Sequence, residues 1–594
     1  MGLLQKAVET YDSHKSLVGK YIDGKAVLAP IAHTVKKTDI EITIDADGVF
    51  WEASASDQSE GIIIPASVES AGRAGKVIAP HPLADQLCYL SAAFPDKYQV
   101  YVKQLTEWAD SEYTHPKLKP ILTYIQNGTI YADLERSGLI KLNAKGIPND
   151  EKLMIRWRVI GLEDGQDECC WKDEKLFKSY REYYCSIQEQ EMPMVCMVDG
   201  SYAQPAKQHA KGVVSLAGNA KLISANDKSG FTYRGRFTQE WQAMSVSYEA
   251  SQKSHNALRW LVDTQGVIFG GRTFLCWNPQ GRYIVPATMP FLRPPKPIFR
   301  PTEYREALKK TLEGRRAELE PADGVVIAAF DAATTGRLSV TYYNELLGSD
   351  FLQRLHDWDT HCCWNDWRFG IQSPPLWQIV NCAFGTQQTE KGVTKMKSDE
   401  RVMRQQIQRL IACRVDRTAI GADIVKALVN RASTPVAYDE TVRETILVTA
   451  CAVIRKYRYD RYKEEWEMAL EPERIDRSYQ FGRLLAVMEK VERDTYDGGE
   501  GREPNAIRMQ SVFCQRPMYA AGILEKQLER AYFPRLGPGS RVWYKNLIGQ
   551  ILEKISAFPQ ETWNTPLEDS YLMGYYLQRS AMYTKKNNDD MEEE

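Results

Sequence analysis

Six prolines stand within sixteen residues, PATMPFLRPPKPIFRP at 286–301. Proline fixes φ and removes an amide donor, so such a stretch enters neither a helix interior nor a central strand and reads as an extended connector. It interrupts a chain of 594 residues. Single hydrophobic cores stop growing near roughly 250–300 residues, so two or three domains are expected. The patterns on either side assign them as 1–290, 291–467 and 468–594.

Up to about residue 100, short β-rich runs at 25–30, 39–44, 61–65 and 76–80 alternate with Gly and Asp turns, as in a sheet. Helical spacing follows over 96–134, and strand-like runs return at 153–159 and 191–199. The spacing predicts a helix over 247–261 and strands at 272–277, 325–330 and 337–343. From about Arg401 onward the pattern is mostly helical. Phe481, Leu484, Leu485, Met488 and Val491 form one apolar stripe, and Tyr544, Leu547, Ile548, Ile551, Leu552 and Ile555 another. Pro517 between them should break or begin a helix, and the acidic tail NNDDMEEE should fray. The expected class is α+β, a mixed α/β N-terminal region followed by a C-terminal α-helical bundle.

Hydrophobic residues make up 43% and charged residues 26% of the sequence, which excludes a fibre or a disordered chain. No run approaches the ~20 apolar residues that cross a bilayer, and MGLLQKAVETYDSHK lacks a signal peptide's apolar stretch. A cytoplasmic protein with no membrane partner is expected. The twelve cysteines contain no C-x-x-C and read as reduced, mostly buried thiols.

The net charge of −2 conceals segregation along the chain. Between Lys207 and Arg236 six basic residues face one acid, Asp227, with Gly212, Gly218, Gly230 and Gly235 among them. Glycines let backbone approach phosphates, and Phe231 and Tyr233 offer faces for bases. A second cluster holds Arg401, Arg404, Arg409, Arg414, Arg417, Lys426 and Arg431 against Asp416 and Asp423. A third, RKYRYDRYK at 455–463, interleaves five basic residues with three tyrosines. Each segment alone is more simply a solvated surface; three in one chain point to nucleic acid.

Enzymatic readings are weaker. His356-Asp357, with His361 five residues beyond His356, permits a metal-dependent HD-type nuclease as the alternative, but such sites need more His and Asp ligands from other helices. His361, Cys362, Cys363 and Cys382 lack zinc-ligand spacing and read as buried thiols beside Trp364 and Trp367. Gly75-Lys76 is followed by Val77, so no phosphate-binding P-loop exists there, and Gly-x-Ser-x-Gly is missing. No enzyme, cofactor or metal is expected.

Seven stretches carry a resemblance. GNAKLISAND (218–227), SYEASQKSHNALRWL (247–261) and GRTFLCWNP (271–279) are similar to the central signature of the large subunit of type I-C CRISPR Cascade complexes. AGRAGKVIAPHPLADQLCYL (71–90), GRLSVTYYNEL (336–346) and DRSYQFGRLLAVMEKVER (476–493) with YLMGYYLQRS (571–580) agree, in the same order. The resemblance implies a non-catalytic subunit that recognises the protospacer-adjacent motif on double-stranded target DNA, helps open the duplex and stabilises the R-loop. Its implied partners are the guide CRISPR RNA, the handle-binding subunit, the repeated backbone subunits and a separate helicase-nuclease. It further implies a small subunit made from an internal start, with Met468 as the candidate codon. Under this reading Arg73 and Lys76 in the first Gly-rich turn, and Lys221, Asn226, Lys228, Arg234 and Arg236 in the second, contact DNA. Arg401, Arg404, Arg409, Arg455, Lys456 and Arg458 would hold nucleic-acid backbone.

Overall fold

The computed structural model describes residues 2–592 apart from 23–24, 58–60, 74–76, 163–166, 189–192, 207, 224–243, 321, 335 and 497–501. The class is α+β, and the chain forms two compact units. The first comprises Met1–Ile284 and Asp323–Leu346, the second Val285–Ala322 and Leu347–Glu594. Residues 468–594, read from the sequence as a domain of their own, lie in the same unit as 347–467.

The two largest buried clusters of the first unit are layered cores. Strands β1 (His33–Lys36), β2 (Ile40–Ile44), β3 (Phe50–Ala55) and β4 (Ile62–Pro65) are followed by β5 (Ile155–Val159). β2 pairs antiparallel with β3 and parallel with β5, while β1 and β4 form a separate antiparallel ladder. Parallel pairing requires a crossover. Here, after α1 (Leu3–Ser13) at the start of the chain, the intervening stretch contains the short α2 (Val68–Gly72) and helices α3 (Pro95–Ala109), α4 (Leu118–Asn127) and α5 (Ile130–Arg136). Ile40, Ile42 and Ile44 share a buried cluster with Trp108, Ile121, Trp157 and Tyr180, the last from α6 (Glu174–Ile187).

The second core lies between two helices and a four-stranded sheet. α7 (Tyr248–Gln265) starts at Ser247, whose hydroxyl accepts from the Ala250 amide, capping an otherwise orphan donor. After β6 (Met194–Val195) and β7 (Tyr202–Ala203) come β8 (Val267–Phe269), β9 (Arg272–Trp277), β10 (Gly324–Thr334) and β11 (Arg337–Leu347), in sheet order β11-β10-β9-β8. Ala7 and Tyr11 of α1, Leu258 and Leu261 of α7, and Trp277, Val326 and Phe330 of the sheet fill the space between.

The second unit is mainly helical: α8 (Pro301–Ala317), α9 (Gly348–His361), α10 (Leu376–Phe384), α11 (Glu400–Val415), α12 (Ala422–Ala432), α13 (Glu440–Tyr462) and α14 (Arg477–Arg493). Two small hairpins, β12 (Trp364–Asp366) with β13 (Gly370–Gln372) and β14 (Thr386–Glu390) with β15 (Val393–Lys397), sit among them. Then follow α15 (Asn505–Arg508), α16 (Gln510–Gln515), α17 (Pro517–Gln527), α18 (Pro538–Ser556) and α19 (Ser570–Glu592). Pro517 opens α17 at its first position, where the missing amide costs nothing. The last helices are tied to what precedes them by buried polar pairs. Ser433 bonds Tyr571, Arg579 meets Glu444 at 2.5 Å, and Arg458 meets Asp569 at 2.5 Å.

Candidate nucleic-acid interface

The first Gly-rich turn is anchored from below. Ser67 caps α2 by accepting from the Ser70 amide at 3.1 Å, and α2 ends at Arg73. Arg73 turns inward: its guanidinium forms two 2.8 Å bonds to the fully buried carboxylate of Asp85, donates to the Ala79 carbonyl and lies 4.6 Å over the Tyr89 ring. Asp85 also accepts the amides of His81 and Gln86, each at 2.7 Å. Bidentate geometry of this kind fixes orientation as well as charge. Arg73 therefore fastens its own turn.

The described part of the second basic segment, 208–223, folds back beside it. Gly212 has φ +70°, and a Cβ there would lie 3.0 Å from the Gly218 carbonyl oxygen, so the turn requires glycine. Lys211 and Lys221 pair across the turn, and Lys221 exchanges backbone bonds with Gly336 and Leu338 of the β10–β11 hairpin. Arg259 on α7 holds the turn in place: its guanidinium donates to the carbonyls of Gly212 (3.1 Å) and Lys211 (2.7 Å) and to the Thr34 hydroxyl (3.2 Å). The two basic segments meet where the Lys211 ammonium donates to the Arg73 carbonyl at 2.6 Å.

Between them lies a pocket of about 160 Å³, bounded by β1, Ala71 of α2, the turn 210–218 and α7. Lys36, Lys211 and Arg259 line it, and none of its lining residues is an acid. Burial comes first, then Arg259, Lys211 and Arg73, in pushing the Lys36 ammonium down to about 8. Partial burial and then Lys221 and Arg73 hold Lys211 below the usual lysine range, and burial does the same to Lys221. Neighbouring histidines stay neutral for the same reasons. His81 is driven well below its ordinary value by burial, then by Arg73, Lys36 and Lys211; His209 falls to about 3 through burial, then His255 and Lys221. Asp85 compensates Arg73 and offsets part of the shift at Lys36, but no carboxylate lines the pocket itself, and cations crowded around an acid-free cavity favour an anion there.

The structure sorts the remaining sequence candidates. Lys76, Asn226, Lys228, Arg234 and Arg236 lie outside the described residues. Arg401 is exposed at the start of α11, and Arg404 is half-buried on the same helix. Arg409 is exposed and forms a two-pronged pair with Asp423 at 2.7 and 2.8 Å, which contributes little in water and leaves Arg409 able to exchange that carboxylate for a phosphate. Of the third cluster's five cations Arg461 and Lys463 are exposed, and the other three face inward. Arg455 donates to the carbonyls of Trp466 and Thr360; Lys456 is buried against Asp460; Arg458 is buried among Asp569, Glu464 and Glu568. Breaking such a buried pair costs far more than an exposed one. These three side chains serve the helical core in this chain as it stands.

His356 Nδ1 lies 3.6 Å from Asp357 Oδ1, but the two are not joined by His361 in a metal-holding group. Asp357 pairs with Arg417 at 2.8 Å and accepts from Gln353, while His361 donates Nδ1–H to the Asp357 carbonyl and stacks 3.6 Å from Tyr459. Among the described residues no three His, Cys, Asp or Glu side chains are placed to hold a metal. Cys362, Cys363 and Cys382 are buried, and burial raises all three thiols. Met468 is also buried, its Sδ 3.9 Å from Cys363 Sγ. Among the described residues no helix is long and apolar enough to cross a membrane.

Lys36 and Arg259 were not singled out by sequence reasoning. Their signals were an adjacent Lys36-Lys37 pair closing a strand, and an arginine inside the otherwise apolar run NALRWL. Compared with known proteins, the chain matches the family model described as CRISPR-associated protein (Cas_Csd1) over residues 8–583. No curated protein matches it.

Proposed function

The chain belongs to the Cas_Csd1 family of CRISPR-associated proteins, and from that premise we propose that it is the large, non-catalytic subunit of an RNA-guided surveillance complex of the type I-C Cascade class. In this reading it recognises the protospacer-adjacent motif on double-stranded DNA, assists duplex opening and stabilises the R-loop. Base pairing with the guide RNA reads the sequence, so the protein needs a few groove contacts and an electrostatic grip. The observation that supports the grip is the acid-free cationic pocket where the two basic segments meet. Its partners are the guide RNA, the handle-binding and backbone subunits, and a helicase-nuclease that makes the cut.

The test is target binding by the assembled, guide-loaded complex with Lys36, Lys211 and Lys221 changed together to glutamine. Affinity for duplex carrying the adjacent motif should fall at least about tenfold. Unchanged affinity would contradict the proposal, as would cleavage of the duplex by the complex alone in Mg²⁺ or Mn²⁺ that His356→Ala abolishes.

We propose, too, that translation also starts at Met468 and yields a small subunit of roughly 15 kDa, in proportion to 67.8 kDa for the whole chain. A Met468→Leu gene should lose that second product on an immunoblot against the C-terminus. Its persistence would exclude this codon.

A further inference from the structure

We infer that the pocket between β1, the 210–218 turn and α7 seats a single phosphate group. The inference concerns what the pocket holds, and it rests on the nucleic-acid reading only for where that phosphate comes from.

Size decides the class of ligand first. Pockets for drug-sized molecules run to roughly 300–1,000 Å³, so about 160 Å³ does not enclose a nucleoside. One buried water needs roughly 10–15 Å³, so the space is many waters large and takes a compact oxyanion. Charge decides next. Three cations line the pocket and no carboxylate does, so the occupant carries negative charge; a phosphate offers these donors more acceptor oxygens than the two of a carboxylate, with one charge as a backbone diester and up to two as the free anion.

The donors still available match this. Arg259 uses three of its five N–H groups on Gly212, Lys211 and Thr34, and those bonds hold its planar fork in one orientation. Guanidinium groups held in this way suit phosphate oxygens. The Lys211 ammonium spends two of its three protons on the Arg73 carbonyl and on Asn219, 3.2 Å away. Lys36, at the end of β1, makes no hydrogen bond through its ammonium among the described residues, although it is half-buried. Asn256 is tied to the carbonyls of Ala29 and Pro30 and braces the wall. A half-buried, unpaired ammonium facing two other cations is the arrangement that an arriving phosphate would satisfy.

Two sources supply the same chemistry: a backbone phosphate of a bound strand, or free inorganic phosphate. The experiment is calorimetric titration of the purified full-length chain with sodium phosphate against sodium chloride of equal ionic strength. One saturable site is expected, weakened at least about tenfold by Lys36→Met and by Lys211→Met separately and largely restored by Lys36→Arg. Circular dichroism and melting of each variant establish that it is folded. A second arm repeats the titration with a short deoxyoligonucleotide present. Competition assigns the seat to a backbone phosphate, and undisturbed phosphate binding assigns it to the free anion. Phosphate without effect beyond chloride, or folded Lys36→Met and Lys211→Met chains that bind it like the parent, would overturn the inference. If phosphate fails to bind while triple substitution of Lys36, Lys211 and Lys221 still weakens target binding, the pocket assignment falls and the function stands.

Discussion

Replacing Gly482 with alanine should unseat the C-terminal helices, at a cost of about 3 kcal/mol or more. α14 and α19 cross with their backbones almost touching: a Cβ on Gly482 would stand 1.9 Å from the Tyr571 carbonyl oxygen, and one on Gly574 2.1 Å from that of Tyr479. The obstacles are backbone atoms of a facing helix, so no side chain can turn aside. To make room the helices must separate, and the buried contacts of Tyr575 with Glu489 and of Arg579 with Glu444 go with them. Gly574→Ala should act likewise. Gly549, in α18, has nothing within 4 Å of its missing Cβ, and alanine there should be neutral or stabilising by up to about 1 kcal/mol, from helix propensity. Urea unfolding of the three variants separates the cases; a Gly482→Ala protein as stable as the parent would contradict the described crossing.

Mild acid should destabilise the first unit by a comparable or larger amount. His33, His209 and His255 are held neutral, at about 4, 3 and 4, and His81 lies well below its usual range. Burial is the leading cause in each; the charges around them are Arg181 for His33, Lys221 and His255 for His209, Arg259 for His255, and Arg73, Lys36 and Lys211 for His81. Unfolded, each titrates near 6.5. Between that value and its folded one, the unfolded chain binds more protons, so stability is complete above about pH 6.5 and falls as pH drops below it. At pH 5.5 His33, His209 and His255 each contribute about 1.4 kcal/mol of loss, roughly 4 kcal/mol for the three, and His81 acts in the same direction. Denaturant midpoints at pH 7.5 and 5.5 in one salt concentration measure this. Equal midpoints would show that these imidazoles are not held neutral.

The periodic segments were readable because their signal is local. The strand over 272–277 coincides with β9, the helix over 247–261 covers the cap and all but the last turn of α7, and the stripe Phe481, Leu484, Leu485, Met488 and Val491 falls on α14, which is buried on all sides from Ser478 to Glu492. Strand identity failed where a partner was lacking. Val77 and Ile78 have strand-forming side chains but are exposed and unpaired, and the 25–30 run makes a single bridge, Leu28 to Val18. The early strands also belong to two ladders, because β2 takes its partner β5 from more than a hundred residues away. The helix α1 was missed because MGLLQKAVETYDSHK was read for export rather than for Ala7 and Tyr11, four residues apart and buried. Nor could the sequence show that 468–594 shares a core with α12 and α13, which rests on Tyr571–Ser433, Arg579–Glu444 and Asp569–Arg458.

The candidate site was half readable for the same reason. Charge clustering located both basic segments and not their meeting, which depends on Arg259 reaching from α7 to Gly212. Composition likewise does not separate a cation facing solvent from one facing a carboxylate. Arg458 and Arg73 count as positive in the sequence and are neutralised in the fold by Asp569 and Asp85.

The salt dependence of target binding tests the grip most directly. For the assembled complex, the logarithm of affinity should fall linearly with the logarithm of salt concentration, and each lost phosphate contact should flatten that line by about 0.9. With Lys36, Lys211 and Lys221 changed to glutamine the slope should drop by roughly 1 to 2, one phosphate for the pocket shared by Lys36 and Lys211 and at most one more for Lys221; a slope indistinguishable from the parent's would mean that these cations hold no phosphate.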